Sequence, residues 1–243
     1  MRRVVMIVGA AWLAASTPVQ AGDRDKALEV IQKAIKAHGG ADALNRAQIR
    51  SRSGEGVFCL GGETRFTTEE TVHLPDRCRV VAEPQRARII LVLNGNQGWN
   101  QPGGMTQELS KEELKLRKEE LYVWWLMNLT PLLKDEFQLK PLPGAKVNGQ
   151  DASVVQVSHK DFPDVRLFFD NKSGLLVKSA RQAKEAGVSV TKEYYYSDHK
   201  EFDGIKMPTK EITVLNGSTK FSEVKFNNYK VMSRVEDKLF ERP

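Results

Sequence analysis

Arg88-Ile89-Ile90-Leu91-Val92-Leu93-Asn94-Gly95-Asn96-Gln97-Gly98-Trp99-Asn100 is the stretch on which the fold turns. Ile89 to Leu93 are apolar without a break, as in a strand covered on both faces. Asn94-Gly95 follows at once. That pair is the strongest short hairpin signal, because the tight turn needs positive φ at both central positions. Gly98-Trp99-Asn100 then reads as the returning strand.

The same grammar extends outward in both directions. Upstream, Arg50 to Leu60 is strand-like and stops at Gly61-Gly62. In Glu63 to Leu74, Thr64, Phe66, Thr68 and Glu70 alternate with Arg65, Thr67 and Glu69, the period of a strand. Leu74-Pro75-Asp76 turns the chain into a short strand, Cys78 to Ala82. Downstream, Ala152 to Ser158, Asp164 to Phe169, Leu175 to Ala180 and Ser189 to Tyr196 are strand-like. Asn171 to Gly174, Asp203-Gly204 and Asn216-Gly217 supply the turns. Ile205, Met207, Thr209, Glu211, Thr213 and Leu215 share one face. Short strands punctuated by Asx-Gly turns predict one large antiparallel sheet. A sheet of that length has to curl. Pro141 to Gly144 is the best place for a linker, but strand-like sequence flanks it on both sides, so residues 22–243 read as one domain.

Two helices interrupt the strands. The first is expected from a cap at Asp23 or Asp25 to His38, with Leu28, Ile31 and Ile35 on one stripe, Ala27 and Ala34 beside it, and Gly39-Gly40 as the stop. His38 at its end suits the helix dipole with partial positive charge. The second starts at Ser110, where Glu113 three residues on completes a capping box. Its first half is heavily charged. Its second half, Leu121 to Met127, is apolar on every face until Pro131 ends or kinks it. A helix apolar all round has to be buried or meet an apolar ligand. The class is therefore α+β, mainly β: a single curled antiparallel sheet, an unclosed β-barrel, with helices covering the concave side.

Residues 1–21 have the layout of a secretory signal peptide: Arg2 and Arg3, an apolar run from Val4 to Ala15, and a small residue, Ala21, at the cut. The expected location is the periplasm or outside the cell. The formal charge of +6 falls to +4 (6 − 2) without Arg2 and Arg3. Acids and bases are interleaved, with no basic block or aromatic platform of the nucleic-acid type. Cys59 and Cys78 flank a strand that spans roughly 35 Å. A disulfide needs Cα atoms within about 7 Å, so two free, buried thiols are expected.

Catalytic patterns are missing. There is no G-x-S-x-G, H-E-x-x-H or C-x-x-C, and Gly54-Glu55-Gly56 meets Cys59 where a dinucleotide fingerprint needs glycine. His199 has three carboxylates nearby in sequence, at Asp198, Glu201 and Asp203, and reads as part of a solvated turn rather than a metal site. No enzyme activity, cofactor or metal is expected.

Three strings carry a resemblance: Leu91-Val92-Leu93-Asn94-Gly95 with Gly98-Trp99; Leu167-Phe168-Phe169-Asp170 with Ser173-Gly174-Leu175-Leu176-Val177; and Tyr195-Tyr196-Ser197-Asp198 with Asp203-Gly204-Ile205-Lys206-Met207-Pro208. With the order of helices and strands, they make the chain resemble the LolA/LolB-like superfamily of periplasmic lipoprotein carriers and receptors. The resemblance implies an unclosed barrel whose concave face holds acyl chains while helices plug the mouth. Arg50 is the candidate counterpart of the carriers' interior arginine. The expected function is a non-enzymatic binder or carrier of a lipid, a lipoprotein acyl chain or another hydrophobic molecule. The alternative is a structural or protein-interaction module, a sensor of the same fold with a filled interior. Leu121, Trp124, Trp125, Leu126 and Leu129 are the expected lid. Phe66, Leu91, Leu93 and Phe168 are the expected ligand-facing sheet residues. Expected partners are a hydrophobic ligand or lipoprotein and a membrane-associated protein, with no nucleic acid, and the chain is expected to be a monomer.

Overall fold

A computed structural model describes residues 21–85, 87–185 and 187–243. The signal-peptide reading falls, apart from Ala21, outside the described residues. The helices are α1 (Ala21–Ala37), α2 (Ala41–Arg46) and α3 (Lys111–Leu126). The strands before α3 are β1 (Ile49–Phe58), β2 (Thr64–His73), β3 (Arg77–Pro84), β4 (Ile89–Asn94), β5 (Gln97–Pro102) and β6 (Gln107–Glu108). Those after it are β7 (Gln138–Val147), β8 (Gln150–His159), β9 (Phe162–Asp170), β10 (Leu176–Glu185), β11 (Val188–Phe202), β12 (Ile205–Leu215) and β13 (Thr219–Val231). All thirteen belong to one antiparallel sheet in the order β6-β5-β4-β3-β2-β1-β13-β12-β11-β10-β9-β8-β7. Each half is a plain meander. They join where β1 pairs with β13, and β6 and β7 remain as free edges, so the sheet is not closed.

The quoted stretch behaves as read. Arg77 to Ala82 pair with β4, and β4 pairs with β5 through Asn94↔Gln97. Both faces of β4 are covered. Leu93 packs with Val72, Cys78 and Leu121 of α3. Ile90 and Val92 pack with Val81, Trp99 and Phe240, the last from the chain's C-terminal turn. Arg77 fastens that turn by donating to Asp237 (2.6 Å) and lying over the Phe240 ring.

Gly54 sits at a β-bulge where β1 meets β13. A Cβ there would lie 2.2 Å from the Lys225 carbonyl oxygen and 2.9 Å from the Phe226 Cα. Backbone cannot step aside as a side chain can, so Gly54→Ala should cost about 1–3 kcal/mol in overpacking. Urea unfolding would read this as a lower midpoint; an unchanged midpoint would mean the two strands have slack.

Several expectations need correction. Asp23 and Asp25 both lie within α1 (Ala21–Ala37) instead of capping it. Pro141 and Pro143 are inside β7, not in a linker. β7 is an edge strand with a bulge between Leu142 and Ala145, and edges tolerate proline because one row of N–H groups faces away from the sheet. Cys59 and Cys78 are free and sit toward opposite ends of β2, Cys59 past the β1 end that pairs with Thr64 and Cys78 in β3 opposite Val72, but Cys59 is only half-buried. His199 is within β11 and its Nε2 bonds the Leu176 carbonyl (3.1 Å), so it is not in a solvated turn.

His38 differs most from its reading. It does not carry positive charge at a helix end. It is 3% exposed, and burial pulls its pKa down to about 4. The Leu176 amide donates to its Nε2 (3.0 Å), so Nδ1 carries the hydrogen and donates to the Lys206 carbonyl (2.7 Å). A neutral imidazole thus ties the end of α1 to β10 and β12.

Candidate functional site

The site is the concave face of the sheet and the helix lying in it. Ser110 caps α3 with its side chain on the Glu113 amide, and the Glu113 carboxylate returns the bond to the Ser110 amide (2.8 Å). The cap starts α3 in the charged segment, and its sixteen residues carry the apolar half inward over about 24 Å. Leu121 reaches the β2–β4 wall against Val72, Cys78 and Leu93. Tyr122, Val123 and Leu126 reach the opposite wall with Val157, Val165, Leu167 and Tyr196, joined by Ile31 and Leu44 of the first two helices. α3 is therefore a plug that spans both halves of the curl.

Of the expected lid residues, Leu121, Leu126 and Leu129 are buried and packed, while Trp124 and Trp125 are half-buried and border both groups. Trp124 lies 5.2 Å from the Arg52 guanidinium, and Trp125 meets the Phe137 ring edge-on at 5.3 Å. Leu93 is brought together with this plug. Leu91 shares its face by strand alternation. Phe66 is on the same face but six residues along β2 from Val72, about 20 Å away. There it stacks on Phe58 at 4.2 Å. Phe168 does not join the site. Its neighbours Leu167 and Phe169 face the helices, whereas Phe168 points to the convex side with Val154 and Ala180. Lys178 lies over its ring.

Sequence reasoning missed the polar half of the site. Arg181 is the largest fully buried side chain among the described residues. Its Nη1 donates to Glu119 (3.0 Å) and its Nη2 to Glu120 (2.6 Å), both on α3. Lys192 donates to Glu120 (3.0 Å) and Glu185 (2.6 Å), and the Tyr194 hydroxyl donates to Glu120. Burial alone would raise the Glu120 carboxyl, but Lys192, Arg181 and the Tyr194 bond hold it down at about 2. A second cluster lies beside Trp124: Arg52 donates to Glu70 and Tyr229 and faces Glu211 at 3.6 Å. Burial pushes the Glu211 carboxyl up, only partly offset by Arg52. No spacing in the sequence marks these residues, because an inward-facing arginine in a strand has the same alternation as a solvated one.

Arg50 is also interior. It donates to the Ala47 carbonyl (2.8 Å), and Asn128 just past α3 is within 3.4 Å of it. Burial, then the nearby Arg52, lowers its pKa to about 10. Among the described residues, no group of three or more His, Cys, Asp and Glu side chains is placed to hold a metal.

Cavities flank the plug. An open groove of about 840 Å³ runs past Trp125 and His159. Another, of about 600 Å³, lies between α3 and the β9–β11 rim and is bordered by Glu119, Phe162 and Ala183. Phe66 borders a third, of about 480 Å³, at the β1–β2 turn.

No family model matches the sequence, and no curated protein matches it. Solved structures do share the architecture. A LolA superfamily protein from Nitrosomonas europaea is 13% identical, with a TM-score of 0.57 over 89% of this chain and 97% of that one. A domain named for outer membrane lipoprotein sorting, from Vibrio parahaemolyticus, is 12% identical with a TM-score of 0.56 over the same shares. A DUF1329 family protein from Desulfovibrio piger is 13% identical, with a TM-score of 0.55 over 88% and 97%. At such identities the likeness is one of fold: this chain has the unclosed, helix-plugged antiparallel sheet seen in LolA superfamily and lipoprotein-sorting structures.

Proposed function

We propose that residues 22–243 act as one half-barrel unit, a non-catalytic binder or carrier of a lipid, a lipoprotein acyl chain or a similar hydrophobic molecule. Export to the periplasm or beyond, with cleavage near Ala21, goes with this reading. The observation that carries it is the apolar half of α3 lying in the concave face between two separate walls. In the closed state the helix itself fills that bed. A ligand binds by displacing the plug and taking over the same greasy contacts, worth about 25 cal/mol per Å² before costs. The bed is long enough. α3 covers about 24 Å, and an acyl chain reaching through one leaflet needs about half of the roughly 30 Å hydrocarbon core. The fold shared with lipoprotein-sorting domains supports this reading.

Two measurements test it. Trp124 and Trp125 lie at the plug, so adding an oleoyl lipid should shift and change the intensity of tryptophan emission. Organic extraction of the purified protein followed by mass spectrometry should yield bound lipid. Unchanged emission together with a lipid-free extract would sink the carrier reading and favour an interaction module whose interior stays filled.

A further inference from the structure

The class of ligand can be narrowed, on the premise that α3 is displaceable. The closed bed is held by more than apolar contact. Arg181, Lys192 and Tyr194 belong to β10 and β11; the carboxylates they bind, Glu119 and Glu120, both belong to α3. When α3 leaves, both acceptors leave with it. Lys192 keeps Glu185, and Arg181 keeps the Gln182 carbonyl (3.2 Å) and the neighbouring Tyr194 hydroxyl. The concave patch then shows a guanidinium, an ammonium and a phenol against Glu185, with Glu211 next along the same face and already facing Arg52. Even in the closed state the Arg181 Nε is buried with no hydrogen-bond partner among the described residues.

A neutral lipid in this bed would bury the Arg181 guanidinium with no carboxylate partner, and an uncompensated buried charge is costly. A carboxylate or phosphate matches the guanidinium fork and restores what Glu119 and Glu120 provided. The path exists already: the groove of about 600 Å³ beside α3 ends at Glu119. We infer that the ligand is an anionic amphiphile, whose head displaces the Glu119 and Glu120 carboxylates from Arg181, Lys192 and Tyr194 while its tail replaces Leu121 and Trp124. α3 is then an internal mimic of the ligand, apolar where the tail lies and acidic where the head lies.

Two probes with one tail test this on the full chain: 1-oleoyl lysophosphatidic acid and monoolein, which differ by a single phosphate. Titration followed by tryptophan emission should show the phosphate-bearing lipid binding about tenfold tighter or more, the worth of a charge-assisted pair. Lys192→Met should shrink that ratio. Glu120→Gln, which removes the internal competitor, should tighten binding of the anionic lipid more than that of monoolein. Equal affinity for the two lipids in the wild-type protein would overturn the head-group inference and leave the carrier reading intact. Binding of neither lipid would overturn both. The wild-type comparison decides the matter even if a variant fails to fold.

Discussion

Arg181→Met should destabilise the protein by about 3–5 kcal/mol, because it removes one partner of a buried ionic cluster and strands the others. Arg181 has only 2% of its side chain exposed and holds Glu119 and Glu120 at 3.0 and 2.6 Å. Without it Glu120 keeps Lys192 and Tyr194, while Glu119 loses its bond inside the curl. A surface ion pair would behave differently, since exposed pairs are worth about 0–1 kcal/mol. Chemical unfolding at pH 7 separates the two cases. A loss below about 1 kcal/mol would place the pair in solvent-like surroundings. A cycle with Glu120→Gln and the double variant should show strong coupling, since neighbours in one network do not add. The result matters for function, because the bonds that stabilise the fold here also hold the plug shut.

Loss of the His38 contribution should weaken the protein in acid before Glu120 titrates. His38 has its pKa pulled from 6.5 to about 4, chiefly by burial. The unfolded chain therefore takes up a proton at this position as pH falls below 6.5, and the folded chain does not until about 4. Stability rises with pH wherever the unfolded state binds more protons. The contribution is thus complete above pH 6.5 and lost on the way down to pH 4. At about 1.4 kcal/mol per pH unit the full loss is about 3 kcal/mol. His199 adds in the same direction, its pKa also lowered by burial. Glu120, held at about 2, contributes fully above the ordinary carboxylate pKa of 4.5 and loses that contribution only below it. Between pH 6.5 and 4.5 the histidines weaken the fold as pH falls, while Glu211, whose carboxyl is pushed up by burial, works the other way. The histidine part is therefore read from the difference between wild type and a His38 variant. Urea unfolding across this interval should show a steeper loss of stability toward acid in the wild type than in His38→Gln, whose amide can still donate to Lys206 and accept from Leu176. Parallel profiles for the two proteins would mean that His38 is wetter than its burial indicates.

Both predictions concern groups whose role the sequence left dark. By itself the sequence determined the sheet and its helices. The run Ile89 to Leu93 before Asn94-Gly95 gave a doubly covered strand, and the structure covers it with Leu121 on one side and Phe240 on the other. The Ser110–Glu113 box located the start of α3, and the shared face from Ile205 to Leu215 emerged as read. These are local signals: turn chemistry, capping and period two act within a few residues of themselves.

Only the tertiary structure decided what each face meets. Alternation separates Phe168 from Leu167 and Phe169 but does not say which side curls inward, and Phe168 went to the convex side. Nor does it show that Arg181 and Lys192 lie beneath an acidic residue 61 and 72 positions earlier in the chain. Burial of a charge depends on how far the sheet bends and where the helix comes to rest. Those are sums over the whole chain, and no short window of residues contains them.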